Sequence, residues 1–187
     1  MRAHTQLTME PEMRTLTTLL CLLLLTACSP AVSIDTSDTF APVTPEQPIL
    51  VMPVASIMCP EDVSEAFFDR LITHLNRLGS PSGYSFLILK QDPESLPPET
   101  LAMRTYATGE IYGCLEETGC CSGEVLMTMR LELFQPGQSE PTLRMRYPAE
   151  KFFDLEAATP KQARTDLASQ TAEQVAEDLI EALKKTN

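Results

Sequence analysis

The chain has 187 residues, 26 acidic against 14 basic, for a formal net charge of −12. A surface so acidic, with its positive charges scattered rather than clustered, argues against a nucleic-acid or anionic-lipid partner. Two histidines and no tryptophan leave little for His-based catalysis.

Leu16 to Leu25 is apolar apart from Thr17, Thr18 and Cys21. About ten such residues cannot cross a bilayer core, which needs roughly 20 as a helix. They have the length of a signal-peptide h-region. Leu25-Thr26-Ala27-Cys28 follows at once and resembles the lipobox of bacterial lipoproteins. That resemblance implies cleavage before Cys28, lipidation (palmitate) of Cys28, and membrane attachment through the lipid. Ser29, where enterobacterial sorting reads an aspartate as inner-membrane retention, implies the outer membrane, periplasmic side, ahead of the inner one. Met13-Arg14 supplies the cationic start and Glu10 and Glu12 do not suit one, so translation is expected to begin at Met13. Losing residues 1–27 removes Arg2, Arg14, Glu10 and Glu12, which leaves the net charge unchanged. Residues 28–47, rich in Ser, Thr, Pro and Asp, carry no apolar periodicity and are expected to be a flexible tether. Residues 48–187 form the single globular domain, long enough for one core.

Ile49 to Val54 is a continuous apolar run, as in a strand covered on both faces. Pro60, Glu61 and Asp62 open a helix whose core face is Val63, Phe67, Leu71, Leu75 and Leu78, broadened by Phe68 and Ile72, with a stop at Gly79. Tyr84 to Leu89 is a second buried strand, giving a βαβ unit with parallel strands and a right-handed crossover. Gln91 to Glu99 reads as a loop. Tyr106 to Leu115 is the third strand, where Gly109 and Gly113 mark a close approach or a bulge. Val125 to Phe134 alternates strictly, Pro136-Gly137 turns the chain, and Leu143, Met145 and Tyr147 alternate on the way back. Thr159-Pro160 caps a final helix with Ala168, Ala172, Val175, Leu179 and Leu183 on one face. The predicted architecture is α/β or α+β: a mixed sheet of about five strands, order β-α-β-β-β-β-α, with two main helices packed on it.

The strand ending in Met52-Pro53-Val54, the amphipathic helix, Ala107-Thr108-Gly109-Glu110-Ile111-Tyr112-Gly113 and the long hairpin together resemble one group of periplasmic domains. The group contains the curli-secretion lipoprotein, the activators of penicillin-binding proteins and the N-terminal domain of the Tol translocation protein. The resemblance spans about residues 48–184 and implies an assembly or interaction role at the cell envelope, with no catalytic residue to carry over. The cysteines depart from the group.

With Cys21 lost and Cys28 lipidated, Cys59, Cys114, Cys120 and Cys121 remain. Four cysteines in an oxidising compartment imply two disulfides. A bond between the neighbours Cys120 and Cys121 closes a strained eight-membered ring and is set aside. That leaves Cys114–Cys120 with Cys59–Cys121, or Cys114–Cys121 with Cys59–Cys120. The bond to Cys59 closes a loop of about 60 residues and contributes roughly 4 kcal/mol in the chain-entropy model. Cys59 before Pro60 could also be an activated thiol, but no Cys-x-x-Cys accompanies it. The spacing lacks zinc knuckles, so no metal is expected. His74 sits at the edge of the apolar helix face as a packed structural residue. Glu110, Glu116 and Glu117 read as a solvated edge rather than paired acids, and Met127, Met129 and Met145 as core. The expectation is a non-enzymatic interaction or assembly lipoprotein with an unknown envelope protein as partner and no cofactor. The alternative is a small-ligand or metal-binding lipoprotein using the cysteine-pinned loop.

Overall fold

The structure is a computed structural model and describes residues 31–45, 47–89 and 97–185. The expected signal peptide, the expected start at Met13 and Cys28 lie outside these residues.

A six-stranded mixed sheet carries the molecule, in the order β1-β6-β5-β4-β2-β3. Its strands are β1 (Ser33–Thr36), β2 (Ile49–Ile57), β3 (Phe86–Ile88), β4 (Tyr106–Thr118), β5 (Ser122–Phe134) and β6 (Leu143–Asp154). The helices are α1 (Glu61–Ser82), α2 (Pro98–Ala102) and α3 (Pro160–Lys184). α1 and α3 pack against each other and against the sheet. The class is α+β, as expected, with one strand more.

β2 lies parallel to both β3 and β4, which makes the predicted βαβ unit real. The second strand of that unit, expected buried over Tyr84 to Leu89, is instead a largely exposed three-residue edge strand with a neighbour on one side only. The first four residues of β2, Ile49 to Met52, are all buried, the signature of a strand with parallel neighbours on both sides. β4, β5 and β6 follow as an antiparallel meander with odd-numbered β5 residues Val125 to Leu133 facing the core. Met127, Met129 and Met145 are among them or beside them, fully enclosed. α1 contributes Val63, Phe67, Leu71 and Leu75, and α3 buries the whole predicted stripe from Ala168 to Leu183. A capping box between Thr159 and Gln162 starts α3, the Gln162 N–H donating to the Thr159 hydroxyl at 3.2 Å.

Three other expectations need correction. First, the segment read as a tether is largely folded. Ser33–Thr36 pairs antiparallel with β6, and Phe40 and Val43 are buried in the core. The Gln135 side chain clamps this strap, accepting from the Ala41 N–H at 3.0 Å and donating to the Ala41 carbonyl at 2.5 Å. Two apolar anchors and a borrowed sheet edge suffice where periodicity is lacking. Second, Gly79 does not end α1. The helix runs on to Ser82 and is capped by Gly83 at φ 81°. Gly79 is needed for contact instead: a Cβ there would lie 2.7 Å from the Phe86 ring and 2.9 Å from the Tyr84 carbonyl. Third, the loop expected over Gln91 to Glu99 ends in a short helix, Pro98–Ala102; residues 90–96 lie outside the described ones.

Candidate interaction surface

Cys59 and Cys114 form the disulfide, with Cα atoms 5.2 Å apart. This is half of the pairing that was set aside, and neither favoured alternative occurs. The sheet supplies the reason. Parallel register sets Ile57 beside Tyr112, so the residues two further along each strand stand level. Gly113, at φ 69°, sits in the register shift between Tyr112 and Leu115 and lets Cys114 turn toward the core. β4 then continues to Thr118, which carries Cys120 about 20 Å beyond Cys114 at strand rise. Cys120 and Cys121 are therefore out of reach of Cys59, free and exposed at the hairpin turn.

The carboxylates of this region separate by strand alternation. Glu110 pairs with Arg130 on the open face of the sheet. Glu116 accepts from Arg164 Nη1 at 3.2 Å, and the same guanidinium forks onto both oxygens of Asp62 at 2.8 and 3.1 Å. That hydrogen bond, with the adjacent positive charge, holds the Asp62 carboxyl below the usual range. Arg164 thus ties the starts of α1 and α3 to β4. Sequence reading missed it because nothing in a lone arginine on a helix announces two partners 48 and 102 residues away.

Glu117 stands opposite Glu124, with Glu150 beside them on β6. Partial burial, then the charges of Glu150 and Glu117, raise the Glu124 carboxyl above the usual glutamate range. A carboxyl that binds its proton more tightly when folded gains stability as pH falls through its folded pKa and opposes folding above it. Glu124→Gln is expected to raise the thermal midpoint near pH 7, the gain shrinking as pH falls and Glu124 of the wild type takes up its proton. A gain independent of pH would contradict this account.

His74 is buried, as expected of a packed residue. The Arg77 guanidinium donates to its Nδ1 at 2.9 Å, so Nε2 carries the hydrogen facing Glu173 at 3.3 Å. Glu173 is held below the usual glutamate range chiefly by its hydrogen bond from Arg70. Tyr147 is also enclosed. Burial, with donation to Asp178 at 2.8 Å, pushes its hydroxyl well above the normal tyrosine value. Among the described residues no group of three or more His, Cys, Asp or Glu is placed to hold a metal. A cleft of about 360 Å³ opens between the strap and the β5–β6 turn, lined by Thr39, Val43, Gln135 and Pro136 with no ionisable side chain. It lies at the opposite end of the sheet from the cysteines, so it is not a cysteine-pinned pocket.

What stands out at the disulfide end is exposed apolar surface. Ile57 is 47 %, Leu115 49 %, Phe152 69 % and Met58 91 % exposed. Register puts Ile57, Tyr112, Thr128 and Pro148 in one row across the sheet, and Leu115, Leu126 and Glu150 in the next. Phe152 follows on the same face, the one that α1 and α3 leave uncovered. Met58 adds an exposed side chain in the left-handed region, φ 59°. That conformation costs a non-glycine residue roughly 1–2 kcal/mol. Met58→Gly is expected to stabilise by about 0.5–1 kcal/mol, the difference being the glycine's larger unfolded-state entropy. A loss in the denaturant midpoint would show that the methionine serves folding. Strain kept at an exposed apolar residue marks a candidate contact.

No family model matches the chain, and no curated protein does. Its fold is similar to solved structures at low identity. PelC from Paraburkholderia phytofirmans, solved as a dodecamer, aligns at TM-score 0.51 and 12 % identity, covering 84 % of this chain and 99 % of that one. Protein XCC0632 from Xanthomonas campestris aligns at 0.52 and 7 %, covering 82 % and 94 %. A lipoprotein, GNA1162 from Neisseria meningitidis, aligns at 0.43 and 11 %, covering 69 % and 97 %, and carries no argument at that score. The first two show a shared fold, a mixed sheet with helices on one face, and nothing about activity.

Proposed function

We propose that the protein is a lipid-anchored envelope lipoprotein, outer-membrane and periplasmic-facing, that works without catalysis as an assembly module. The observation that carries this is the uncovered sheet face with its strip of Ile57, Met58, Leu115 and Phe152. The occupant we assign to it is a second copy of the chain. On the same face Arg130 is matched by Glu110, and Arg144 by Glu132 and Glu140, so the apolar strip rather than a charged row sets the contact. PelC, which shares the fold, is a dodecamer.

The anchor reading rests on Leu25-Thr26-Ala27-Cys28 and is sharpened by β1. Because β1 starts at Ser33, the chain from lipidated Cys28 to the sheet spans at most about 18 Å. The domain would therefore stand against the membrane surface rather than on a long leash, with its β1 edge nearest. Among the described residues no helix is long and apolar enough to cross a membrane.

Native mass spectrometry of the protein extracted in mild detergent tests the assembly. Oligomers are expected, and Met58→Glu with Phe152→Glu should release monomers that keep the wild-type far-UV circular dichroism but melt at a lower temperature, since they lose the stabilisation that association gives. Monomers at every concentration would sink self-assembly; crosslinking in cells would then look for a different envelope protein on the same face. Cys28→Ser, with palmitate labelling and membrane fractionation, tests the anchor separately.

A further inference from the structure

The Cys120–Cys121 pair is used by neither the fold nor the proposed assembly surface. Within a strand, neighbouring side chains point to opposite faces. Here the β4–β5 turn cancels that alternation, and the two Sγ atoms stand 3.3 Å apart, both exposed. The turn is held from two sides: the Gly119 N–H donates to the Ser122 carbonyl at 2.8 Å, and the Leu155 N–H to the Cys121 carbonyl at 3.0 Å. The juxtaposition is therefore built by the hairpin and by the end of β6, and does not depend on a bond between the sulfurs. Cys59 and Cys114, already bonded to each other, do not compete for either thiol.

We propose that Cys120 and Cys121 are a thiol–disulfide exchange site whose substrates are small-molecule or protein disulfides in one direction and thiols in the other. One cysteine, as thiolate, attacks a sulfur of an incoming disulfide R–S–S–R; that S–S bond breaks, R–S⁻ leaves, and a mixed disulfide forms. The neighbouring thiol loses its proton and attacks the cysteine sulfur, displacing the second R–S⁻. The two thiols are oxidised to an intrachain disulfide, R–S–S–R is reduced to two R–SH, and the two protons go with the two electrons. A second intramolecular attack across 3.3 Å is fast because the nucleophile is already in contact. The product ring has eight members and is strained and exposed, which is the labile class of disulfide. The site closes and reopens, whereas the half-buried Cys59–Cys114 bond stays shut.

The test equilibrates the full chain in buffers of reduced and oxidised glutathione, quenches with acid, alkylates, and reads the cysteine peptides by mass. The peptide bearing Cys120 and Cys121 is expected to lose two hydrogens on oxidation and regain them on reduction. Its midpoint should fall at a [GSH]²/[GSSG] about a hundredfold or more below that for Cys59–Cys114. The Cys120→Ser variant should accumulate a glutathione adduct on Cys121, since the second displacement has lost its nucleophile; both positions are exposed, so the melting temperature stays put. Two stable glutathione adducts on the wild-type pair, a ring that opens only together with Cys59–Cys114, or a bond between chains would each overturn the proposal.

Discussion

Replacing Cys114 with alanine is expected to lower the unfolding free energy by about 4 kcal/mol, the figure the chain-entropy model assigns to a loop of this length. Cys59 and Cys114 are 55 residues apart, and between them lie α1, β3 and α2. Opening the bond frees all of these to wander in the unfolded chain. Cys59→Ala should have the same effect, and the double variant should lose no more than either single one, because both remove one bond. With no tryptophan in the chain, far-UV circular dichroism in a denaturant titration is the suitable reading. A loss under about 1 kcal/mol would mean that β2–β4 pairing alone holds the two ends in register. Cys120→Ala, at the free and exposed pair, should leave the midpoint within about 0.5 kcal/mol.

The second large effect belongs to Phe67. Its ring sits on α1 at 0 % exposure, in the layer between that helix and the sheet. Phe67→Ala should destabilise by about 3–5 kcal/mol, the sum of lost transfer free energy and an unfilled cavity. Phe152→Ala is the contrast: in the lone chain the ring is two-thirds exposed, so at dilutions where the chain is monomeric the change should stay within about 0.5 kcal/mol. Its neighbour Phe153 points the other way, over Gly123, where a Cβ would lie 2.4 Å from the ring. Equal losses at Phe67 and Phe152 in the monomeric chain would show that the open face is packed within a single copy, which would contradict the assembly reading.

Most of the main elements were legible because each announces itself over a short window. The alternation of Val125 to Phe134, the stripe from Ala168 to Leu183 and the apolar run at Ile49 are local patterns set by strand and helix periodicity. β1 was not legible, since four residues, Ser-Ile-Asp-Thr, have no pattern of their own and become a strand only against β6. Gly79 misled for a related reason: glycine marks helix ends and close approaches alike, and only Phe86 and Tyr84 tell which. The open-face strip was invisible because Ile57, Leu115 and Phe152 are far apart in sequence and meet only through register.

What the sequence determined by itself was the class of fold, the two amphipathic helices and the βαβ unit. All of these rest on neighbours along the chain. The cysteine pairing, the Arg164 fork and the exposed face were decided only by tertiary structure. Strand register is the reason. It places Cys59 level with Cys114, and hairpin length then carries Cys120 and Cys121 away to the turn. Ring strain constrains only neighbouring cysteines, whereas strand register sets the distances that decide every other pairing.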